Sequence, residues 1–351
     1  MSPWGVAETQ LLGAFDVLKA AGAHELPLIQ NGPVLQNIQD ESPEGNPANT
    51  FYHPTAQQAL IDAAVSAGAT VEQGARVTGV TPGDPPTVSY TRDGETHEAT
   101  ARLVVGADGR TSLARKSLGR EEHQHRANRL MGGVLVDGLD LDDRAGIFII
   151  VPGLEVLSVI FPQGNGRARA YVGLADEKND PFKGADGFQV FVDSSIAAGV
   201  PASAFTNCKP AGPLATFVAD DSWVDHPYQD GVALIGDAAG ISDPTWGLGL
   251  SLSFRDARVL RDCLVESDDW DAACNKYAQA HDEHYKTIVT AENWMTQILI
   301  EPGPEADARR ARVLPLWFQE PDRQPKMATF GPSIDVSEQA RRRAFGEDVD
   351  S

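Results

Sequence analysis

The stretch GVALIGDAAGISDPTWGLGLSLSFRDARVL, from Gly231 to Leu260, joins a short apolar run to a helical pattern through a glycine-rich turn. Val232 to Ile235 are apolar and partly β-branched, which predicts a buried strand. From Ser251 onward, apolar and charged residues recur at helical intervals. Between them lie Asp237 and a turn of proline and glycine. An acid at a strand's carboxyl end, then backbone that a ligand can approach, then a helix N-terminus, is how an α/β sheet forms a ligand site.

The composition limits the classes of protein that this chain can represent. Its 351 residues, 42% of them hydrophobic, are enough to bury a core and to form two domains. The 29 Lys and Arg residues face 50 Asp and Glu residues, which gives a formal net charge of -21. A field of that sign repels nucleic acid and anionic membranes, and basic runs such as ARRARV are short. Since no apolar run could span a membrane, we expect neither nucleic-acid nor membrane partners.

The cysteine pattern bears on the compartment. Cys208, Cys263 and Cys274 are odd in number and lack the spacing of metal ligands. This pattern favours a reducing compartment over a disulfide framework. The first residues carry no charged segment followed by an apolar one, so no signal peptide is visible. We therefore expect a cytoplasmic protein.

A second informative stretch, ARLVVGADGRTSLARKSLG, runs from Ala101 to Gly119. It predicts a buried strand at Leu103 to Val105, a tight turn, and a helix capped by Thr111 or Ser112. In that turn, Asp108 can order the backbone or accept a hydrogen bond from a sugar hydroxyl. Arg110 and Arg115 have the chemistry to meet a phosphate. The alternative is a turn acid with two solvated arginines.

The middle of the chain has a different pattern. Residues 129–175 read as antiparallel strands separated by turns, including PGLE and PQGNGRA. The arrangement predicts an α/β domain interrupted by this sheet. We assign residues 1–120 to a partial nucleotide-binding domain, 121–216 to the sheet module, 217–300 to the return of the first domain with helices, and 301–351 to a charged, Pro-rich tail, which we expect to be loosely packed.

The pair GADGRTSLARKSLG and GDAAGISDPTWGLGLSLSFRDA resembles the two downstream fingerprints of the class A flavoprotein monooxygenases, the family of para-hydroxybenzoate hydroxylase. The resemblance implies a Rossmann-like FAD-binding domain with an inserted antiparallel sheet and C-terminal helices. It also implies that NADH or NADPH reduces the FAD. The reduced flavin would react with O2 to form a C4a-hydroperoxide, from which oxygen passes to a small organic substrate.

The resemblance assigns roles to residues in both motifs. Asp237, with Gly236, would bind the ribitol or pyrophosphate region of FAD, and the backbone of the Pro/Gly turn would lie beside the isoalloxazine, where Gly249 would leave no room for a side chain. The first motif would serve both FAD and NAD(P)H. The cofactor-binding residues expected in this way are Asp108, Gly109, Arg110, Gly236, Asp237, Pro244, Gly247, Leu248 and Gly249.

The inserted sheet would form the substrate chamber. Its inward-facing residues would be Met131, Val134, Ile149, Val159, Phe161 and Tyr171. They imply an apolar substrate, aromatic or polycyclic, and Phe161 and Tyr171 are the pocket residues that we single out. Trp246 either lines this pocket or fills the core, and its place in the motif favours the pocket. No residue is assigned a catalytic role.

Two features depart from the family pattern. Gly240 stands where many members carry a histidine, so no imidazole is available there for proton transfer. The opening strand, G-x-G-x-x-G loop and helix of the family are not found, and GNGRARA near Gly164 reads as a hairpin turn instead. We therefore expect an N-terminally truncated chain that lacks one βαβ unit.

Alternatives to a monooxygenase remain at this point. A flavin-dependent halogenase or reductase of related fold is the nearest, although the catalytic lysine and tryptophan-rich motif of a halogenase are not found. From another class, the chain would be a non-catalytic fragment or an interaction module that retains the rear part of the fold. The missing glycine loop favours that second reading.

Other polar groups are expected to be structural. HDEHYK contains His281, Glu283 and His284, which could share a metal, but without further ligands a solvated helical face is the better interpretation, and we expect no metal site. His53 and His226 are turn residues beside prolines with no nucleophile as partner. Ser112 and Ser251 are expected to be helix caps rather than nucleophiles.

Overall fold

The computed structural model describes residues 1–151, 156–175 and 179–348, and for residues 126–128 it describes the backbone alone. The PGLE turn predicted at 152–155 therefore lies outside the described residues. The helices are α1 (Pro3–Leu12), α2 (Phe15–Ala20), α3 (Ile38–Glu41), α4 (His53–Ser66), α5 (Leu113–Ser117), α6 (Gly187–Ala198), α7 (Gly249–Glu266), α8 (Trp270–Leu299), α9 (Pro304–Gln319), α10 (Met327–Phe330) and α11 (Glu338–Ala344).

The strands are mostly short. They are β1 (His24–Leu26), β2 (Leu28–Asn31), β3 (Val34–Asn37), β4 (Ala48–Thr50), β5 (Arg76–Thr81), β6 (Thr87–Arg92), β7 (Glu95–Thr100), β8 (Val104–Gly106), β9 (His123–Asp137), β10 (Ala145–Val151), β11 (Val156–Pro162), β12 (Ala168–Leu174), β13 (Lys209–Pro210), β14 (Ala215–Trp223), β15 (Tyr228–Gln229), β16 (Val232–Leu234) and β17 (Gly240–Ile241). Two small antiparallel sheets pair β1 with β4 and join β5, β6 and β7 in that order.

One large sheet dominates the molecule. Its strand order is β17-β14-β9-β12-β11-β10-β2-β3, with β13 added at the end of β9. All pairs are antiparallel except β10 with β2. The predicted antiparallel sheet between residues 129 and 175 is thus confirmed, and it extends at both ends through strands from other parts of the chain.

The two motif strands are neighbours, as expected for a Rossmann-like domain. β8 and β16 pair in parallel, with Val232 opposite Val104 and Leu234 opposite Gly106. Both strands end at the same edge, where the loops carrying the two motifs begin. A Cβ at Gly106 would lie 2.5 Å from the Ala114 side chain, so glycine is needed for α5 to pack this closely.

Apolar residues cover both faces of the large sheet, and this corrects one prediction. Val134 and Ile149 lie on the face that packs against α6, in a cluster with Phe191. The opposite face carries Met131 and Val159 together with other large side chains. Because the sheet is buried on both faces, the odd and the even residues of each strand are both largely apolar. The sequence pattern therefore does not tell which of the two sets faces a chamber.

The C-terminal residues form packed helices rather than the loose tail that was expected. Trp317 of α9, Met327 of α10, and Ala344 and Phe345 at the end of α11 are buried in the largest apolar cluster. That cluster surrounds α8, whose 30 residues make it the longest helix described. Among the described residues, no helix is both long and apolar enough to cross a lipid bilayer.

A buried polar cluster joins α7 to α8. His281 and His284 are only 2% and 4% exposed, so the predicted solvated face is wrong. His281 Nδ1 lies 3.0 Å and His284 Nε2 3.1 Å from Asp256 Oδ1. The other oxygen of Asp256 accepts a hydrogen bond of 2.8 Å from the Gly236 N–H. The three side chains could hold a metal ion by their spacing, but their hydrogen bonds already account for the arrangement.

The charges in this cluster stabilise one another. Burial opposes ionisation of Asp256, but the two histidines hold its pKa well below its usual range. Burial also lowers the pKa of His284, against the attraction of Asp256. The cluster therefore contains a carboxylate with hydrogen bonds from two imidazoles and one backbone amide.

A second buried cluster is acidic. Glu292 of α8 is 1% exposed, and neither of its carboxylate oxygens has a hydrogen-bond partner among the described residues. Burial, followed by the charges of Asp221 and Asp243, raises its pKa well above the usual range. Arg129 of β9 pairs with Asp243 and donates to Thr245 Oγ1 at 3.0 Å. Arg129 thus lies among three buried acids, and the protonated form of Glu292 is favoured by burial and by its acidic neighbours.

The first prediction concerns Asp256. Replacing it with alanine leaves two buried imidazoles and a backbone amide without their acceptor, so we expect Asp256→Ala to lower the free energy of unfolding by about 3–5 kcal/mol. Asp262, on the same helix, makes only surface ion pairs with Arg258 and Arg261. Asp262→Ala should therefore cost about 1 kcal/mol or less in urea unfolding. Equal losses for the two variants would contradict this account of the cluster.

The second prediction concerns pH. Burial, with a contribution from Asp243 that Arg129 opposes, raises the pKa of Asp221 to about 8. An acid whose pKa is higher in the folded state stabilises the fold below its unfolded pKa of about 4, and that stability is lost as the pH rises toward 8. The free energy of unfolding should fall by up to about 1.4 kcal/mol per pH unit between pH values of about 5 and 8.

The matched variants for this test are Asp221→Asn and Asp225→Asn. Asp225 has a side chain that is 71% exposed. Asp221→Asn should flatten the decline in stability measured by urea unfolding across that pH range, whereas Asp225→Asn should leave it as in the parent protein. A decline of the same steepness in all three proteins would show that Asp221 does not carry it.

Candidate functional site

A chamber of about 580 Å3, called the main chamber below, lies between the motif loop and the large sheet. The motif loop, Gly236 to Gly249, forms one wall, and β9, β11, β12 and β14 form the facing wall. The turn before α4 closes a third side. Nine of the residues predicted for the site line this chamber together: Arg110, Met131, Val159, Phe161, Tyr171, Asp237, Pro244, Gly247 and Gly249.

The other predicted residues lie elsewhere. Gly236, the first residue of the motif loop, points its N–H away from the chamber to Asp256, and Asp108 and Gly109 are in the neighbouring turn. Trp246 and Leu248 line a second cavity of about 370 Å3, called the side cavity below, on the far side of the loop. Trp246 does not line the main chamber, where its pocket role was expected; it is buried in the largest apolar cluster, which is the alternative that the sequence left open.

The motif loop connects strand β16 to helix α7 through a series of short turns. Two 3-10 turns, Gly236–Ala238 and Pro244–Trp246, flank the short strand β17. Gly236 and Gly247 have φ values of +58° and +68°, which favour glycine. Helix α7 begins at Gly249, two residues before the predicted start, so Ser251 lies inside it. The Ser251 hydroxyl contacts the Ser2 hydroxyl at 2.8 Å and is not a cap.

Hydrogen bonds to the back of the loop hold its first half. The buried Arg115 guanidinium donates to the carbonyl oxygens of Asp237 at 3.0 Å and Ala238 at 3.2 Å. It also donates to the Arg110 carbonyl at 2.7 Å. The prediction that Arg115 meets a phosphate is therefore wrong, because both terminal nitrogens of this buried guanidinium donate within the protein. Arg115 joins the two sequence motifs instead.

Tyr285 of α8 explains the glycine at position 240. Its hydroxyl donates to the Ile241 carbonyl at 2.7 Å. A Cβ at Gly240 would lie 2.6 Å from the Tyr285 ring, so the histidine of many family members has no room here. The second half of the loop is held by Arg129 through Asp243 and Thr245, and Asp243 Oδ1 also accepts from the Thr245 N–H at 2.8 Å.

Asp108 orders its own turn. Its carboxylate accepts from the backbone N–H groups of Leu113 at 2.7 Å and Ala114 at 3.1 Å, and from the Ser112 hydroxyl. Burial opposes ionisation, but these donors lower the pKa of Asp108. Ser112 caps α5 as predicted, accepting from the Arg115 N–H. Of the two roles that the sequence allowed for Asp108, the structure shows the ordering of the backbone.

Asp237 has the opposite environment. Its side chain faces the main chamber, and burial raises its pKa against the attraction of Arg110 and Arg115. A half-buried carboxyl group without a strong internal donor is suited to accept hydrogen bonds from a ligand. Gly249 lies close by, since a Cβ there would be 3.9 Å from Asp237 Oδ1 and would meet nothing nearer.

The space at Gly249 bears on the expectation that a bound flavin leaves no room for a side chain there. In the protein itself a side chain there has room, because the Cβ would point into the main chamber. Only a ligand in the chamber would exclude it. Helix α7 also begins at this residue, so the helix end whose N–H groups lack intrahelical acceptors opens toward the chamber.

The facing wall is aromatic with one cation. The rings of Phe161 and Tyr171 meet edge to face, with centroids 6.5 Å apart. Arg169 lies over the Tyr171 ring at 5.2 Å and donates to its hydroxyl at 3.3 Å. Gly133 on the next strand has no side chain to block the ring, since a Cβ there would lie 2.8 Å from Tyr171.

Sequence reasoning missed several residues of this chamber, and two of them bear on its chemistry. Arg169 was not singled out, and His53 was treated as a turn residue, but both line the wall. Burial lowers the pKa of His53, so its imidazole is uncharged near neutral pH. The sequence predicted a helix that starts close to His53. It gave no sign that His53 lies near β12, which is more than 100 residues away in the chain.

Comparison with known proteins identifies what the chain resembles. A family model described as FAD binding domain matches residues 35–283. The chain is 30% identical over 215 residues to a kynurenine 3-monooxygenase of Salinispora tropica, covering 56% of this chain and 46% of that protein. It is 27% identical over 269 residues to digeranylgeranylglycerophospholipid reductase 1 of Methanopyrus kandleri, covering 71% and 66%. The match thus spans about half the length of the first relative and just under two thirds of the second.

Solved structures share the fold at low sequence identity. OxyS anhydrotetracycline hydroxylase from Streptomyces rimosus superimposes with a TM-score of 0.70 and 18% identity, covering 96% of this chain and 68% of that one. HpxO of Klebsiella pneumoniae, in complex with FAD and uric acid, gives 0.72 and 19% identity, covering 91% and 82%. The flavin-dependent brominase Bmp2 gives 0.73 and 16% identity, covering 100% and 87%.

These structural likenesses concern the fold, and the sequence match concerns the family. The family model covers well over half of the chain, including both motifs and the large sheet between them. The chain therefore belongs to the FAD binding domain family, that of the class A flavoprotein monooxygenases.

Proposed function

We propose that this chain forms the catalytic chamber of an FAD-dependent monooxygenase that oxidises an apolar or aromatic organic substrate with O2 and NADH or NADPH. The observation that carries the proposal is the main chamber itself. It places Asp237, the Pro244 turn and the start of α7 opposite an aromatic sheet wall, within about 580 Å3. A polar rim facing an apolar wall suits a flavin with an organic substrate stacked beside it.

The residues present fit a flavin ring. Gly249 leaves open the space that a Cβ would fill, so a flat ring can approach the backbone. The N-terminal end of α7 favours negative charge at the edge of a ring held there. Asp237 supplies an acceptor for the hydroxyl groups of a ribitol chain. Pro244 and Gly247 would lie along the ring face.

When bound, FAD would supply the redox chemistry, with electrons from NADH or NADPH and an oxygen atom from O2. The chain's own residues position and shield the reactants. Phe161 and Tyr171 exclude water from the substrate side, and Arg169 holds the Tyr171 hydroxyl in place. His53, whose pKa burial lowers, is a group on the chamber wall able to accept a proton.

The third prediction tests whether the open space at Gly249 is needed for FAD binding rather than for folding. Gly249→Val should lower FAD affinity at least about tenfold, because the added side chain would occupy the ring position, and thermal unfolding of the flavin-free protein should hardly change. The control is Gly79→Val in β5, where a Cβ would likewise make only ordinary contacts, 3.8 Å from Ser89. Flavin titration and thermal melts measure both effects. Normal FAD binding by Gly249→Val would refute the proposed ring position.

The fourth prediction contrasts the two motif acids. Asp237→Ala should weaken FAD binding about tenfold or more with little change in the stability of the flavin-free protein. Asp108→Ala removes the acceptor at the start of α5 and should lower that stability by about 1 kcal/mol, with a smaller effect on FAD affinity. The assignment fails if flavin titrations give both variants near-parental affinity, or if Asp108→Ala is the weaker binder.

The activity itself is tested with the protein reconstituted with FAD. Purified protein, NADH or NADPH, and isotopically labelled O2 are mixed with a panel of apolar phenols, and products are examined by mass spectrometry. We expect label from O2 in a product and consumption of one nicotinamide cofactor. Protein that takes up no FAD under any condition, or that takes it up without incorporating label into any member of the panel, would argue against the proposal.

A further inference from the structure

The side cavity has a mainly apolar lining, into which a few polar residues such as Asn31, Gln36 and Gln324 are set. It measures about 370 Å3, within the range of about 300–1,000 Å3 that is usual for ligand sites. Its wall combines side chains from the large sheet, the motif loop and the C-terminal helices. Phe148, Ile150, Trp246, Met295, Leu299 and Trp317 form the larger part of that wall. Met and Trp side chains adapt well to apolar ligands of irregular shape.

The side cavity shares a wall with the main chamber. Met1, Asn49, Phe161 and Gly247 line both spaces. Phe161 and Gly247 also face each other, since a Cβ at Gly247 would lie 4.0 Å from Phe161 Cζ. At this point the two spaces are separated by one layer of residues, with an aromatic ring on one side and a glycine without a side chain on the other. A chain of methylene groups can pass such a junction if the ring turns about its side-chain bonds.

Charge limits what the side cavity can hold. Among the described residues, its lining contains a single charged side chain, Lys326. The ammonium group of Lys326 is already paired with Asp322 at 2.8 Å and Glu41 at 3.2 Å. An acidic ligand end would find no free cation there, and a basic one would find no acid in the lining. The cavity is thus suited to a neutral hydrocarbon group.

We propose that the side cavity binds the apolar tail of an elongated substrate whose oxidisable ring or double bond lies in the main chamber. This inference rests on the proposed function, because it extends the same substrate site. Phe161 and Gly247 then mark the boundary between the reacting end of the substrate and its hydrocarbon end. The substrate class is a neutral molecule with a polar or unsaturated head and a chain of several carbons.

The test uses a homologous series of probes on the FAD-loaded protein. Para-ethylphenol, para-butylphenol and para-hexylphenol share one head and differ in chain length. Binding is measured by calorimetry at equilibrium, so turnover is not needed. If the tail enters the side cavity, Kd should fall about three- to fourfold for each added methylene group.

Variants that fill the side cavity test whether the dependence of Kd on chain length arises there. Ile150→Trp and Leu299→Trp, at half-buried positions of the wall, should abolish the dependence on chain length and leave binding of para-ethylphenol unchanged. Val265→Trp, at a side chain that is 81% exposed on α7, is the matched control and should keep the full dependence. As a second readout, long-chain probes should shift the emission of the cavity tryptophans in the parent protein, and Trp317→Phe should reduce that shift.

The outcomes distinguish this proposal from the proposed function. A Kd that is independent of chain length, or a dependence that persists in both filled variants, overturns the tail site even if FAD binds normally. If a filled variant does not fold, the emission shift decides, and its absence with the longest probe overturns the proposal. Should the protein fail to hold FAD, the proposed function is contradicted, while the same series measured on the flavin-free protein still tests the cavity.

Discussion

Buried hydrogen bonds to one side of the Gly236–Gly249 loop are the constraint on which the site depends. Asp256 holds the Gly236 N–H, Arg115 holds the first carbonyl groups, and Tyr285 holds the Ile241 carbonyl. Bonds that involve charged groups contribute about 1.5–3 kcal/mol each. Because these donors and acceptors all lie on the interior side, the opposite side of the loop is free to face the main chamber. Hydrogen bonds from the protein interior thus keep the loop in the position that forms one wall of the main chamber.

Local features of the site could be predicted from the sequence. The strand at Val232, the turn glycines and the helix that follows are encoded within one stretch, since each depends on neighbours a few residues away. The Ser112 cap and the antiparallel sheet follow from equally local rules. The pairing of β8 with β16 spans over 100 residues, but it was predictable from the order of motifs in the family.

The remaining features depend on contacts between distant segments. His281 and His284 read as surface residues because their partner, Asp256, lies on another helix. Arg115 looked free for a ligand, although carbonyl groups more than 120 residues away use its donors. The glycine at position 240 is explained by the Tyr285 ring, which no local pattern indicates. Val134 was assigned to the wrong face because α6 covers the second face of the sheet.

The central claim is that the main chamber holds the flavin ring against a loop that is already in place. The most direct measurement is a crystal structure of this chain with FAD. The account predicts the isoalloxazine over Gly249 and Pro244, the ribitol beside Asp237, and loop backbone within about 1 Å of its position here, as for preorganised sites. A flavin bound elsewhere, or a motif loop that breaks its bonds to Asp256 and Arg115 to receive the ring, would contradict it.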